Sequence, residues 1–141
     1  VDDYAHHPTE ISATLAAARQ VYPDRRLVAL FQPHLFSRTR DFAVEFGRAL
    51  LGADVAVVTD VYPSREKPLP GVTGQLIVGA AREAGHRNLL YVSDKKRVVD
   101  RLERLLRPGD LLLTMGAGDV VRFGEAYLAG EGMRRVADAG K

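Results

Sequence analysis

With 141 residues, 46% hydrophobic and 27% charged, the chain has the composition of one soluble globular domain, long enough to bury a core of its own. The absence of cysteine excludes disulfides, thiolate metal sites and a cysteine nucleophile, and fits a reducing compartment. The net charge is only +2, the basic residues are interleaved with acids, and no apolar run approaches 18 residues, so neither a nucleic-acid surface nor a membrane-spanning helix is predicted.

The predicted elements alternate. The opening residues 1–4 read as the end of a strand. Apolar Ile11, Leu15, Ala18 and Val21, following Pro8-Thr9, mark one face of a helix. Residues 27–31 form a short, nearly continuous apolar run, the pattern of a strand buried on both faces. Phe42, Phe46, Ala49 and Leu50 mark a second helix, with Arg38 and Arg40 in its first turn. Residues 55–59 read as the next strand, and residues 76–84 as a third helix closed by Gly85. Residues 89–92 are strand-like, and Ser93-Asp94 caps a helix carrying Val98, Leu102, Leu105 and Leu106. Pro108-Gly109 turns into a strand at 111–114, and Asp119 opens a helix ending near Gly130. Strands alternating with helices predict a three-layer, Rossmann-like, doubly wound α/β domain with a mostly parallel sheet and helices on both faces.

Ligands of such a sheet bind beyond the carboxyl ends of its strands. The segments at those ends are chemically rich. They comprise Asp3-Tyr4-Ala5-His6-His7-Pro8, Gln32-Pro33-His34 with Ser37-Arg38-Thr39-Arg40, the run from Asp60 through Tyr62 and Arg65 to Glu66, and Gly116-Ala117-Gly118-Asp119. The opposite edge holds plain turns at Pro23-Asp24, Gly52, Gly85 and Pro108-Gly109. Arg38 and Arg40 stand where the helix dipole disfavours a cation by about 0.3–1 kcal/mol each. Two readings of that placement stay open: an anion to be bound, or pairing with Asp41 or another surface acid. His6-His7 reads first as packing at a helix start; adjacent histidines point apart, and no acid or third histidine stands at metal-ligand spacing. The proline-rich segment 60–71 suits an ordered loop over a site. Gly116 and Gly118 let backbone approach closely, but they lack the third glycine of a dinucleotide fingerprint. The chain contains neither a GxxxxGK[ST] phosphate loop nor a nucleophile elbow.

These four segments, in this order and spacing, resemble the C-terminal domain of Mur ligases, and within them the branch that adds L-alanine. The resemblance covers residues 1–130, leaving 131–141 as a short tail, helical or loose. It implies one domain of a bacterial, cytoplasmic, ADP-forming enzyme of peptidoglycan synthesis. In such enzymes ATP, with Mg2+ held by a central domain, phosphorylates the carboxylate of UDP-N-acetylmuramate, which an N-terminal domain binds. The amine of L-alanine then attacks the acyl phosphate. By the same resemblance Arg38 anchors the amino acid carboxylate, with Tyr4, His6 and His34 around it and N–H groups of the helix start as further donors. Asp3 faces the nucleotide ribose; Asp60, Tyr62, Arg65, Gly116 and Gly118 form the supporting loops; His6 and His7 are the candidates for taking the amine proton, and the domain itself holds no metal. Leu35 departs from members with a basic residue there, which leaves more of the anchoring to Arg38 and His34. The start at Val1-Asp2-Asp3, without Met, predicts an excised piece that folds but does not catalyse alone. The alternatives are the ligase that attaches a whole tripeptide to the same nucleotide, against which Tyr4 and Arg38 speak, and a non-catalytic ligand-binding module.

Overall fold

The structure, a computed structural model, describes residues 2–3, 7–116 and 119–139, with side chains over 7–116 and 119–129. In chain order the elements are β1 (Asp2–Asp3), α1 (Pro8–Val21), β2 (Leu27–Gln32), α2 (Phe36–Ala49), β3 (Val55–Thr59), α3 (Gln75–Glu83), β4 (Leu89–Val92), α4 (Val98–Leu105), β5 (Leu111–Gly116) and α5 (Val120–Ala139). Short 3-10 turns at Leu50–Gly52 and Lys95–Arg97 precede β3 and α4.

All strand pairs are parallel, in the order β1-β5-β2-β3-β4. The chain steps one way across the sheet from β1 to β2, β3 and β4, then returns to place β5 between β1 and β2. A constant crossover hand puts the helices of the forward steps on one face and those of the return on the other. The packing agrees. Ile11 and Leu15 of α1, Phe46 of α2 and Ile77 of α3 bury against Ala29, Phe31, Val58 and Met115. Val98 and Leu102 of α4 and Val120 of α5 bury against Leu30 and Val57 on the reverse face. β2 and β3 are buried along their whole lengths, which is why they read as unbroken apolar runs.

The expected doubly wound α/β architecture is present, with some boundaries moved. β2 runs to Gln32 and β5 to Gly116, each past its apolar run. α2 begins at Phe36, and non-helical dihedrals at Phe42 (φ −121°, ψ 21°) separate its first turn from its amphipathic body. Gly85 closes α3 at φ 104°, as expected of a helix-ending glycine. α5 does not stop near Gly130 but continues to Ala139. The segment beyond holds no proline and several good helix formers, and the two glycines passed, Gly130 and Gly132, cost only about 1 kcal/mol each. No helix among the described residues is long and apolar enough to cross a membrane.

At the amino edge, acids clasp the strand starts. Arg26 donates to Asp110 from Nε at 3.0 Å and Nη2 at 2.6 Å, and Arg107 N donates to the same carboxylate at 2.8 Å. Leu27 N donates to Asp54 Oδ2 at 2.7 Å. The remaining histidine, His86, is buried here; its Nε2 lies 3.0 Å from Ala53 O and its Nδ1 accepts from Asn88 N. It is spent on tying α3 to the starts of β3 and β4.

Burial alone raises the Asp110 carboxyl, but the Arg26 and Arg107 hydrogen bonds and the Arg26 charge outweigh it and hold it below the ordinary carboxylate range. A depressed folded value contributes stability that is present above the unfolded carboxylate pKa, near ~4, and lost as pH falls through the folded value. Asp110→Asn should therefore cost about 2 kcal/mol in urea unfolding at pH 7, and the gap from wild type should narrow below about pH 4. A gap constant down to pH 2 would show that the charge is immaterial. At the other edge, Gly116 has φ 122°, and a Cβ there would collide with Gln32 O. Gly116→Ala should lower unfolding stability by about 1–3 kcal/mol, read as a shifted urea midpoint with an unchanged slope.

Candidate functional site

The carboxyl edge is built by two loops that pair with each other. Beyond β2 and β3 the chain makes one more parallel bridge, between His34 and Tyr62. Tyr62 N donates to Pro33 O at 2.8 Å, and Leu35 N donates to Tyr62 O at 3.0 Å. The two rings stack on the same bridge, with centroids 6.1 Å apart and planes 21° from parallel. Tyr62 is thus a platform for His34. Leu35 is held at φ 70°, a region that costs a non-glycine residue about 1–3 kcal/mol and persists only where surrounding bonds fix it. The fixing bonds are Leu35 N to Tyr62 O, and Thr39 N and Oγ1 to Leu35 O at 3.1 and 2.8 Å.

Arg38 lies one helical turn beyond His34, and its Nη1 is 3.2 Å from His34 Nδ1. A guanidinium only donates, so His34 Nδ1 is the acceptor and a neutral His34 ring carries its proton on Nε2. The two arginines of the first turn then part company. Arg40 Nε pairs with Asp41 at 2.9 Å, both side chains more than half exposed. Arg38 is half-buried and has no carboxylate partner among the described residues. Surface pairing therefore accounts for Arg40 and not for Arg38, and the anion reading survives at Arg38 alone.

The start of α2 is occupied. Its N-cap is Leu35, which offers no side-chain cap, and its first turn carries no acid of its own. Glu66, from the loop after β3, takes both roles. Its Oε1 accepts from Ser37 N at 3.1 Å and its Oε2 accepts a very short hydrogen bond from Ser37 Oγ. The Ser37 hydroxyl first, then the N–H groups of Ser37 and Phe36 and the Arg40 charge, hold the Glu66 carboxyl below its usual range against desolvation. An internal carboxylate thus already occupies the Ser37 and Phe36 N–H groups that were expected to serve a ligand.

The remaining expected residues divide into three groups. Asp60 turns inward: its Oδ1 accepts from Val61 N at 3.0 Å and from the Tyr91 hydroxyl at 3.2 Å, so it braces the loop. Burial first, then the Asp60 charge, push the Tyr91 hydroxyl above its ordinary value, against a hydrogen bond with Thr73. Gly116 meets Gln32 backbone to backbone, and buried Gln32 Oε1 accepts from Asp119 N at 2.8 Å, sewing β2 to the start of α5. Asp119 Oδ2, otherwise buried without a donor, meets Lys95 Nζ at 2.5 Å. Arg65 is exposed, with no hydrogen bond or ion pair among the described residues, and does not join the cluster. His7 is the N-cap of α1 without a side-chain cap bond, and its ring packs edge-on to Phe42 at 5.5 Å, as packing at a helix start requires. Tyr4, His6 and Gly118 lie outside the described residues, as does the side chain of Asp3; the backbone of Asp3 pairs with Met115 at this same edge. No group of three or more His, Asp or Glu side chains able to hold a metal gathers among the described residues. Ser37, Glu66, Tyr91 and Lys95 are the contributors that sequence reading did not single out.

Residues 1–118 match the family described as Mur ligase, glutamate ligase domain. A protein described as UDP-N-acetylmuramate–L-alanine ligase from Salinibacter ruber is 52% identical over 128 residues, covering 91% of this chain and 27% of the relative. One of the same description from Cutibacterium acnes is 57% identical over 124 residues, covering 87% of this chain and 26% of the relative. The chain thus spans about a quarter of the length of the curated relatives it matches. Among solved structures, the UDP-N-acetylmuramate–alanine ligase of Thermotoga maritima is 27% identical, with TM-score 0.70 over 93% of this chain and 26% of that one. The chain belongs to the Mur ligase family, as its glutamate ligase domain.

Proposed function

We propose that this chain is the amino-acid-recruiting domain of an ATP-dependent ligase that joins L-alanine to UDP-N-acetylmuramate. The observation that carries the reading is Arg38: a half-buried guanidinium at the carboxyl edge, held by a histidine nitrogen and lacking a carboxylate among the described residues. A free amino acid supplies that carboxylate. The names of relatives at 52% and 57% identity supply the choice of L-alanine.

The reaction joins an activated carboxyl to an amine. The γ-phosphoryl group of ATP passes to the muramate carboxylate, releasing ADP. The alanine nitrogen attacks the acyl carbon, the C–O bond to phosphate breaks, and the amine gives up a proton. This chain's part is positional. Arg38 holds the amino acid carboxylate by a charge-assisted bond contributing about 1.5–3 kcal/mol, and leaves the amine free. His34, stacked on Tyr62, accepts from Arg38 through Nδ1 and so steadies the anchor. β1 brings Asp3 to this edge, where we assign it to the nucleotide ribose, with Tyr4 and His6 beside the amino acid. His6 and His7 are the residues we put forward for the amine proton. We assign the ATP phosphates, Mg2+ and the UDP-sugar to the other domains of a complete ligase; this chain has no GxxxxGK[ST] phosphate loop.

The direct test is phosphate release by the complete ligase with ATP, Mg2+ and UDP-N-acetylmuramate. Release should depend on added L-alanine. Dependence on the tripeptide instead would transfer the protein to the recycling branch, and no release with either would leave a binding module. In the same assay Arg38→Ala should raise KM for L-alanine by about tenfold or more, as loss of a charge-assisted bond requires. An unchanged KM would remove Arg38 from the amino acid site.

A further inference from the structure

We infer that Glu66 is a positioning residue for the amino acid anchor: supplied by the loop after β3, it caps the start of α2 in trans and thereby fixes where Arg38 points. The inference rests on the reading of Arg38 as the carboxylate anchor.

Three observations carry it. First, the turn bearing Arg38 does not hold itself. Its N-cap is an apolar residue at φ 70°, its first turn lacks an acid, and the non-helical dihedrals at Phe42 detach it from the body of α2. Helix starts leave N–H groups that need an acceptor, and here none is local. Second, Glu66 supplies the acceptor to both ends of Ser37, the residue next to Arg38, through its N–H at 3.1 Å and its hydroxyl. The loop that delivers it is itself set, by Glu66 N donating to Pro63 O at 2.9 Å and by the His34–Tyr62 bridge. Third, the charges are sorted. Glu66 spends its oxygens on the helix start, and the arginine whose charge it feels is Arg40, which already pairs with Asp41. Among the described residues Arg38 keeps only a neutral acceptor, His34 Nδ1. A carboxylate thus holds the residue beside the anchor without quenching the anchor's charge. The same bond links the loop 60–66 to the anchor, so displacement of that loop moves Arg38.

The test uses the complete ligase, with KM measured separately for L-alanine, ATP and UDP-N-acetylmuramate, and amide hydrogen exchange at Phe36 and Ser37. Glu66→Ala should raise KM for L-alanine by about tenfold, leave the other two KM values within about twofold, and speed exchange at Ser37 by about tenfold or more. Glu66→Gln should restore most of the KM, because its amide accepts from Ser37 N–H and donates to Ser37 Oγ. Ser37→Ala, which removes only the hydroxyl bond, should give an intermediate rise of about threefold, and remains informative if Glu66→Ala fails to fold. Two outcomes overturn the inference: faster exchange at Ser37 with an unchanged KM for L-alanine, or parallel rises in all three KM values with no rescue by glutamine. A wild-type enzyme that ignores L-alanine would instead defeat the functional reading, while the exchange data would still report on the cap.

Discussion

The return of β5 into the middle of the sheet is the constraint on which the site depends. β1, β2, β3 and β4 advance in one direction, and their helices share a face; β5 goes back between β1 and β2, and its helix takes the other. Chain segments leaving β5 and β2 therefore diverge, and the carboxyl edge opens where they part. The divergence has to be sealed at its base. Gly116 admits the Gln32 backbone where no Cβ fits, and the Gln32 side chain accepts the Asp119 N–H. With that seam closed, β2 ends at a fixed place, and His34, Leu35 and the start of α2 inherit it.

From that fixed point outward, positioning passes from sheet hydrogen bonds to side-chain electrostatics. The last parallel bridge, His34 with Tyr62, extends the β2–β3 pairing into the loops and stacks the two rings. Beyond it the backbone breaks the rules of a self-sufficient helix, with a left-handed leucine as N-cap and no acid in the first turn. Strain of this kind persists only when neighbours over-determine it. Tyr62 O, the Thr39 side chain and Glu66 do so from three directions. Arg38 thereby sits on a turn held by its surroundings more than by its own sequence.

That division explains how much could be read from the residues alone. Strands β2 and β3 are fully buried on both faces, so their composition is decided by the core and their apolar runs mark them directly. Arg38 and His34 are four residues apart, on either side of the turn that opens α2, so their contact is a local one. Ser37 and Glu66 are 29 positions apart, and no periodicity predicts that pair; it exists because β2 and β3 are neighbours in register. The start of α2 with Arg38 in its first turn was legible, but the acceptor that caps it was not, since it comes from elsewhere in the chain. Gly130 misled in the opposite sense: a glycine within a run of good helix formers weakens a helix without ending it.

The contrast between Arg38 and Arg40 shows how far position by itself can take such an inference. Both stand in the same unfavourable dipole field, and by sequence they are equivalent. They are separated by the partner each finds. Arg40, exposed, pairs with the acid beside it, an interaction worth only about 0–1 kcal/mol. Arg38, half-buried, meets a neutral ring nitrogen. A cation partly withdrawn from water, with a neutral acceptor as its neighbour, carries an unmet electrostatic demand that a bound anion satisfies. Among the described residues, Glu66, Asp60 and Asp119 are committed to a helix start, a tyrosine and a lysine. On the proposed reading of the site, the anion that meets the demand of Arg38 is the carboxylate of the amino acid.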